Sequence, residues 1–154
     1  MNRATAATCH LASPRFCSTI GCRLSALLPV GLQNNKGIMS TPSIDSYRFG
    51  RLVVDGQSHT KDVIILPDRV IAGWWRKQGH TLLPDDLEEV LAARPDLLVV
   101  GLGAYRRMKV TAEAKQSLEQ AGVELIAQST KQACETYNDL RGQRIVAAAL
   151  HLAC

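Results

Sequence analysis

Two stretches of the chain concentrate side chains able to do chemistry. The first is Gly101-Leu102-Gly103, with Arg106, Arg107 and Lys109 just beyond it. Glycines leaving a buried strand let backbone amides approach an anion. In an open α/β sheet, the crevice beyond the carboxyl ends of the strands would bring this loop beside a helix cap at Thr130. Gly101, Gly103, Arg106, Arg107, Thr130 and His80 are therefore the candidate residues for a small anionic ligand. A dinucleotide fingerprint is excluded, because the place of its third glycine is held by Arg106. The competing structural reading is that both glycines only let a tight loop leave the sheet.

The second stretch is Trp74-Trp75-Arg76, followed by His80. Adjacent residues of a strand point to opposite faces, so one indole belongs in the core and the other at the surface. Trp75 with Arg76 is then the candidate protein-interaction pair, since Trp and Arg dominate binding energy at interfaces. His80 as a general base would need a nucleophile and an orienting acid, and no adjacent motif supplies them. No catalytic residue is expected, and the reading leans away from an enzyme. Neither a metal nor a cofactor is expected. Within residues 39–154 no His, Cys, Asp or Glu falls at ligand spacing, and Cys9, Cys17 and Cys22 with His10 lack a second Cys-x-x-Cys pair. Cys134 and Cys154 read as reduced packing residues in a reducing compartment.

Composition bounds the rest. The 154 residues are 46% hydrophobic and 21% charged, enough apolar content for one domain with a core. The formal charge of +4 comes from 18 Lys and Arg against 14 Asp and Glu, and all of it lies in the first 38 residues, in Arg3, Arg15, Arg23 and Lys36. The remaining chain is formally neutral, with no basic surplus for nucleic acid. Apolar runs fall far short of the roughly 20 residues of a membrane span. Residues 1–43 thus read as a basic, acid-free extension and 44–154 as a single domain. The extension has the composition of a mitochondrial transit peptide, or is a leader before a translation start at Met39. The expected location is the cytoplasm, or the mitochondrial matrix if residues 1–38 are a transit peptide.

The elements that must position these residues follow from periodicity and punctuation. Residues 47–54 and 57–66 flank Asp55-Gly56 as a β-hairpin forming a small separate layer. Residues 70–75 form a third short strand. Pro84, Asp85 and Asp86 open a helix that Pro95 ends, and residues 97–100 form a buried strand. Thr111 caps a helix closed by Gly122, residues 123–127 are a strand, and Ser129 or Thr130 caps a helix with an inner stripe of Ala133, Tyr137 and Leu140. Residues 144–152 are apolar on both faces and belong near the centre of the sheet. The whole is α/β, a partly parallel sheet covered by helices.

Several ordered motifs carry a resemblance. Asp55-Gly56, Asp62-Val63-Ile64-Ile65, Trp74-Trp75-Arg76 with Gly79-His80, Gly101-Leu102-Gly103, Thr130 with Ala133, Thr136-Tyr137-Asn138-x-Leu140 and Arg144-x-Val146-Ala147-Ala148-Ala149-Leu150 follow one another across residues 44–152. This order resembles the small Mth-type domain family of unknown function. The resemblance implies a three-layer β/β/α fold with a mixed sheet, the hairpin layer on one face and helices on the other. It implies no established catalytic activity. Mitochondrial members are assembly factors for respiratory complex I, so unnamed protein partners are implied for this chain. The family pattern often places Glu before the final Arg, where this chain has Gln143.

Overall fold

Glycines reverse the chain to build the first layer. The computed structural model describes residues 41–154; the leader, the Met39 start and the Cys9, Cys17, Cys22 and His10 group lie outside the described residues. Strands β1 (Ile44–Arg48), β2 (Arg51–Val54) and β3 (Gln57–His59) form an antiparallel meander. Asp55 and Gly56 both take positive φ, 47° and 75°, as a two-residue hairpin turn matching the strand twist requires. The strand expected over residues 47–54 is in fact two. Gly50, at φ 73°, turns the chain so that Arg48 pairs with Arg51. Tyr47, Phe49, Leu52 and Val53 are strand-like on both sides and hide this turn from the pattern.

The strand expected over residues 57–66 also divides, because its halves belong to different sheets. Polar β3 pairs only with β2, whereas β4 (Val63–Ile65) is buried throughout and enters the main sheet. β5 (Val70–Ala72) follows and stops at Gly73, whose φ is 73°, so Trp74 and Trp75 lie past the strand rather than on it.

Short β6 (Thr81–Leu82) precedes a 3₁₀ turn over Pro84–Leu87 and helix α1 (Glu88–Ala93), which ends at left-handed Arg94 just before Pro95. Then come β7 (Leu97–Gly101), β8 (Lys109–Val110) and α2 (Ala112–Gln120). Thr111 caps α2 by accepting a bond from the Ala114 amide. β9 (Glu124–Gln128), α3 (Thr130–Leu140) and β10 (Val146–Leu150) complete the chain.

The main sheet has the order β5-β4-β10-β7-β9, with β10 central as expected. β10 runs parallel to β7 and antiparallel to β4, so the sheet is mixed. Its side chains alternate between two cores. Val146, Ala148 and Leu150 face the meander and α3, packing with Leu52, Val54, Ala133 and Tyr137. Ala147 and Ala149 face Leu87 and Val90 of the first helical segment and Ala114 and Leu118 of α2. Small alanines on both faces let the layers approach the sheet closely. The α/β class holds, with α1 and α2 opposite the meander; α3 instead shares the meander's face. Gln143, where the family pattern often has Glu, donates its side-chain amide to the Asp139 carbonyl, and Arg144 pairs with Glu124 at 2.8 Å.

Candidate functional site

Of the candidate residues, Gly101, Gly103, Thr130 and His80 meet where β10 leaves the sheet. Residues 151–154 run on as a strap rather than a strand, held on both sides by groups from distant elements. The His151 amide donates to the Gly101 carbonyl (3.0 Å), and the Ala104 amide donates to that of Ala153 (3.2 Å). The Leu152 amide donates to Asp62 Oδ1 at 2.9 Å, and the Leu152 carbonyl accepts from the Gly50 amide and the Tyr47 hydroxyl. Thr130 stands at the first turn of α3 but points inward. Its Oγ1 donates to the His151 carbonyl at 2.5 Å and accepts from the Gly103 amide at 2.9 Å.

This strap explains both glycines. A Cβ at Gly103, whose φ is +94°, would land on the Cys154 carbonyl oxygen, and one at Gly101 would come within 2.9 Å of Thr130 Oγ1 and Leu150 Cδ2. The loop amides expected to cradle an anion are engaged inside the protein. Leu102 donates to Gln128, Gly103 to Thr130 and Ala104 to Ala153, so an anion would have to displace residues 153–154 to reach them. Arg106 reaches Gln132 instead (3.1 Å), and Arg107 is exposed.

Arg76 is not a surface residue, which corrects its expected role in an interface. It is 8% exposed and its guanidinium lies 2.7 Å from Asp62 Oδ2. Its Nε donates to the Gly79 carbonyl (2.6 Å), and its guanidinium carbon sits 4.9 Å from the ring centre of buried Trp74. Trp74 is thus the core indole and Trp75, 89% exposed, the surface one, as expected. Because they lie beyond Gly73, loop geometry rather than strand alternation separates them.

Asp62 is the hub. Its Oδ2 lies 2.8 Å from His151 Nδ1 as well as against Arg76. Burial pulls the Asp62 carboxyl up, but bonds from His151 and the Leu152 amide and the charge of Arg76 outweigh it and hold it below its ordinary value. His151 Nδ1 stands between the Asp62 carboxylate and the Arg76 guanidinium, which lies 3.2 Å from it, and the ring turns its Nε2 the other way. That nitrogen faces Cys154 Sγ at 3.6 Å, and His80 Nε2 lies 2.9 Å from the same sulfur. The two imidazole rings meet edge to face at 5.3 Å. Buried Asp86 steadies the His80 loop by accepting from the Lys77 and Leu83 amides. His80, His151 and Cys154 place their donor atoms within 4.8 Å of one another, a grouping absent from linear spacing.

Asp62, His151 and Cys154 are the site residues that sequence reasoning misses. The available signal is an Asp directly before an all-apolar strand and a His directly after another, both at strand ends where α/β sheets keep their crevices.

Three further rings stand around the strap. Phe49 precedes Gly50, Tyr105 follows Ala104 and Trp75 precedes Arg76, and each of those neighbours holds residues 151–153. All three are exposed, and Phe49 and Tyr105 lie 6.4 Å apart.

Residues 44–151 match the family described as protein of unknown function, DUF498/DUF598. The chain belongs to this family. It is 30% identical over 111 residues to the human protein named NADH dehydrogenase [ubiquinone] 1 alpha subcomplex assembly factor 3, covering 70% of this chain and 59% of that one. This chain therefore spans less than two thirds of that relative's length. A conserved hypothetical protein of Pyrococcus horikoshii superposes with a TM-score of 0.66 at 30% identity, over 73% of this chain and 99% of its own. A Bordetella pertussis protein described as a Mth938-like domain shares the fold at TM-score 0.56 and 22% identity, over 73% and 86% of the two chains. In this DUF498 member, among the described residues, no helix is long and apolar enough to cross a membrane.

Proposed function

We propose that this chain is a protein-binding assembly factor that docks its partner on the aromatic edge formed by Trp75, Phe49 and Tyr105. The observation that carries the reading is their exposure, 89%, 63% and 73%, on segments bonded to residues 151–153. Large rings left in water beside ordered backbone lose little freedom on binding and bury much apolar area, which makes them anchors. The partner class follows from the similarity to the human assembly factor. It is a subunit or subassembly of the NADH dehydrogenase (ubiquinone), met in the mitochondrial matrix if residues 1–38 act as a transit peptide and in the cytoplasm otherwise. The chain acts by binding rather than by catalysis. The test is complementation. In cells deleted for the gene, assembled NADH dehydrogenase resolved on native gels should fall and be restored by the wild-type chain but not by the triple variant Trp75→Ala, Phe49→Ala, Tyr105→Ala. Unchanged enzyme levels on deletion, or full rescue by a folded triple variant, would overturn the reading.

A further inference from the structure

Cys154 Sγ is approached by two imidazole nitrogens, His80 Nε2 at 2.9 Å and His151 Nε2 at 3.6 Å. The His80 and His151 Nε2 atoms thus converge on one sulfur, with Asp62 Oδ2 against the other nitrogen of the His151 ring. Two imidazole nitrogens and a thiol sulfur within 4.8 Å of one another make a ligand set for a soft divalent cation. We propose that His80, His151 and Cys154 form a binding site for one zinc-class divalent ion, with Asp62 orienting His151 from behind.

The geometry suits tetrahedral coordination. Zinc bonds of about 2.3 Å to sulfur and 2.0–2.1 Å to nitrogen separate a sulfur and a nitrogen ligand by roughly 3.5 Å. His151 already stands at that separation from the sulfur. His80 is exposed, and its nitrogen, 2.9 Å from the sulfur, would draw back by about 0.6 Å. A ring nitrogen backed by a carboxylate is the arrangement that fixes the tautomer of metal-bound histidine and raises its basicity. Soft thiolate with two imidazoles favours zinc over magnesium or calcium, which prefer oxygen. His151 is buried while the other two residues reach solvent, so three protein ligands leave the fourth position open toward water. The ion would tie the loop before β6 to the strap after β10, and binding at neutral pH would release the thiol proton.

The test uses the full chain, reduced and stripped with a chelator, then titrated with zinc alone against a chromophoric competitor. A parallel full-length sample carries Cys9→Ser, Cys17→Ser and Cys22→Ser, so that the N-terminal thiols are accounted for. Both samples should bind one zinc per chain, and zinc should raise their unfolding temperature. Cys154→Ser and His80→Ala replace accessible side chains, so they should stay folded by circular dichroism. Each should weaken zinc by more than the roughly 10–100-fold that loss of a group behind a ligand costs. Cobalt loading should give a thiolate charge-transfer band that Cys154→Ser removes and Cys154→His does not restore. The proposal is overturned if the reduced wild type takes up no zinc, if Cys154→Ser and His80→Ala bind it as well as wild type, or if binding disappears with the N-terminal substitutions alone.

Discussion

Asp62 Oδ2 lies 2.8 Å from His151 Nδ1, although the two residues are 89 positions apart, and the same carboxylate sits 2.7 Å from the buried Arg76 guanidinium. One side chain therefore ties the entry of β4, the exit of β10 and the loop after β5. Replacing it by alanine leaves a buried cation without its counter-charge. Breaking such a pair costs about 3–5 kcal/mol, so Asp62→Ala should lose a large share of the roughly 5–15 kcal/mol that stabilises a domain, read in urea unfolding. A loss below about 1 kcal/mol would show that the pair is solvated.

Thr130→Val removes a hydroxyl while keeping the side-chain shape. The Gly103 amide and the His151 carbonyl then lose a buried partner, at about 1–3 kcal/mol for each group left unsatisfied. Thr130→Ser should recover most of this, and thermal unfolding of the two variants separates the hydroxyl's role from that of the methyl.

Gly103→Ala should release the strap. At φ +94° an added Cβ meets the backbone of residues 153–154 rather than a flexible side chain, and the dihedral itself costs of order 1–3 kcal/mol for a non-glycine residue. Hydrogen exchange should show faster exchange at the Ala104 amide, whose bond runs to Ala153. Protection equal to wild type there would mean that the strap accommodates the methyl.

The paired tryptophans should separate stability from binding. Trp75→Ala removes an exposed ring and should leave stability within about 0.5 kcal/mol, while weakening partner binding. Trp74→Ala opens the core beneath Arg76 and should cost about 3–5 kcal/mol. Urea unfolding of both, with co-purification of the proposed partner, reads the contrast.

Burial pushes the Cys134 thiol up to about 12. Alkylating reagents attack the thiolate, so Cys134 should stay unlabelled in the native protein at mildly alkaline pH and react once urea exposes it. Cys154, only partly buried, should label ahead of Cys134. Peptide mass mapping at timed intervals checks the order.

Much of the architecture was legible in local chemistry. Asp55-Gly56 predicts its hairpin because only a left-handed pair matches strand twist. Thr111 and Gly122 mark the ends of α2 by capping, and the alanine run of β10 places it centrally because only small side chains let layers close in on both faces. Gly101 and Gly103 also drew notice from the sequence, but for a role that requires free amides. What occupies those amides is the strap of residues 151–154, which local pattern cannot reveal.

The sequence by itself determined the α/β class, most of the elements and the placing of the formal charge of +4 within the first 38 residues, because periodicity, capping and charge are properties of neighbours along the chain. Only the tertiary structure decided that Arg76 is buried, that Asp62 is its partner, and that His80 faces His151 and Cys154. Those relationships join residues from different loops and strand ends, His80 and Cys154 being 74 positions apart, through strand order and loop paths. They arise because burying a charge demands a partner wherever the fold can bring one.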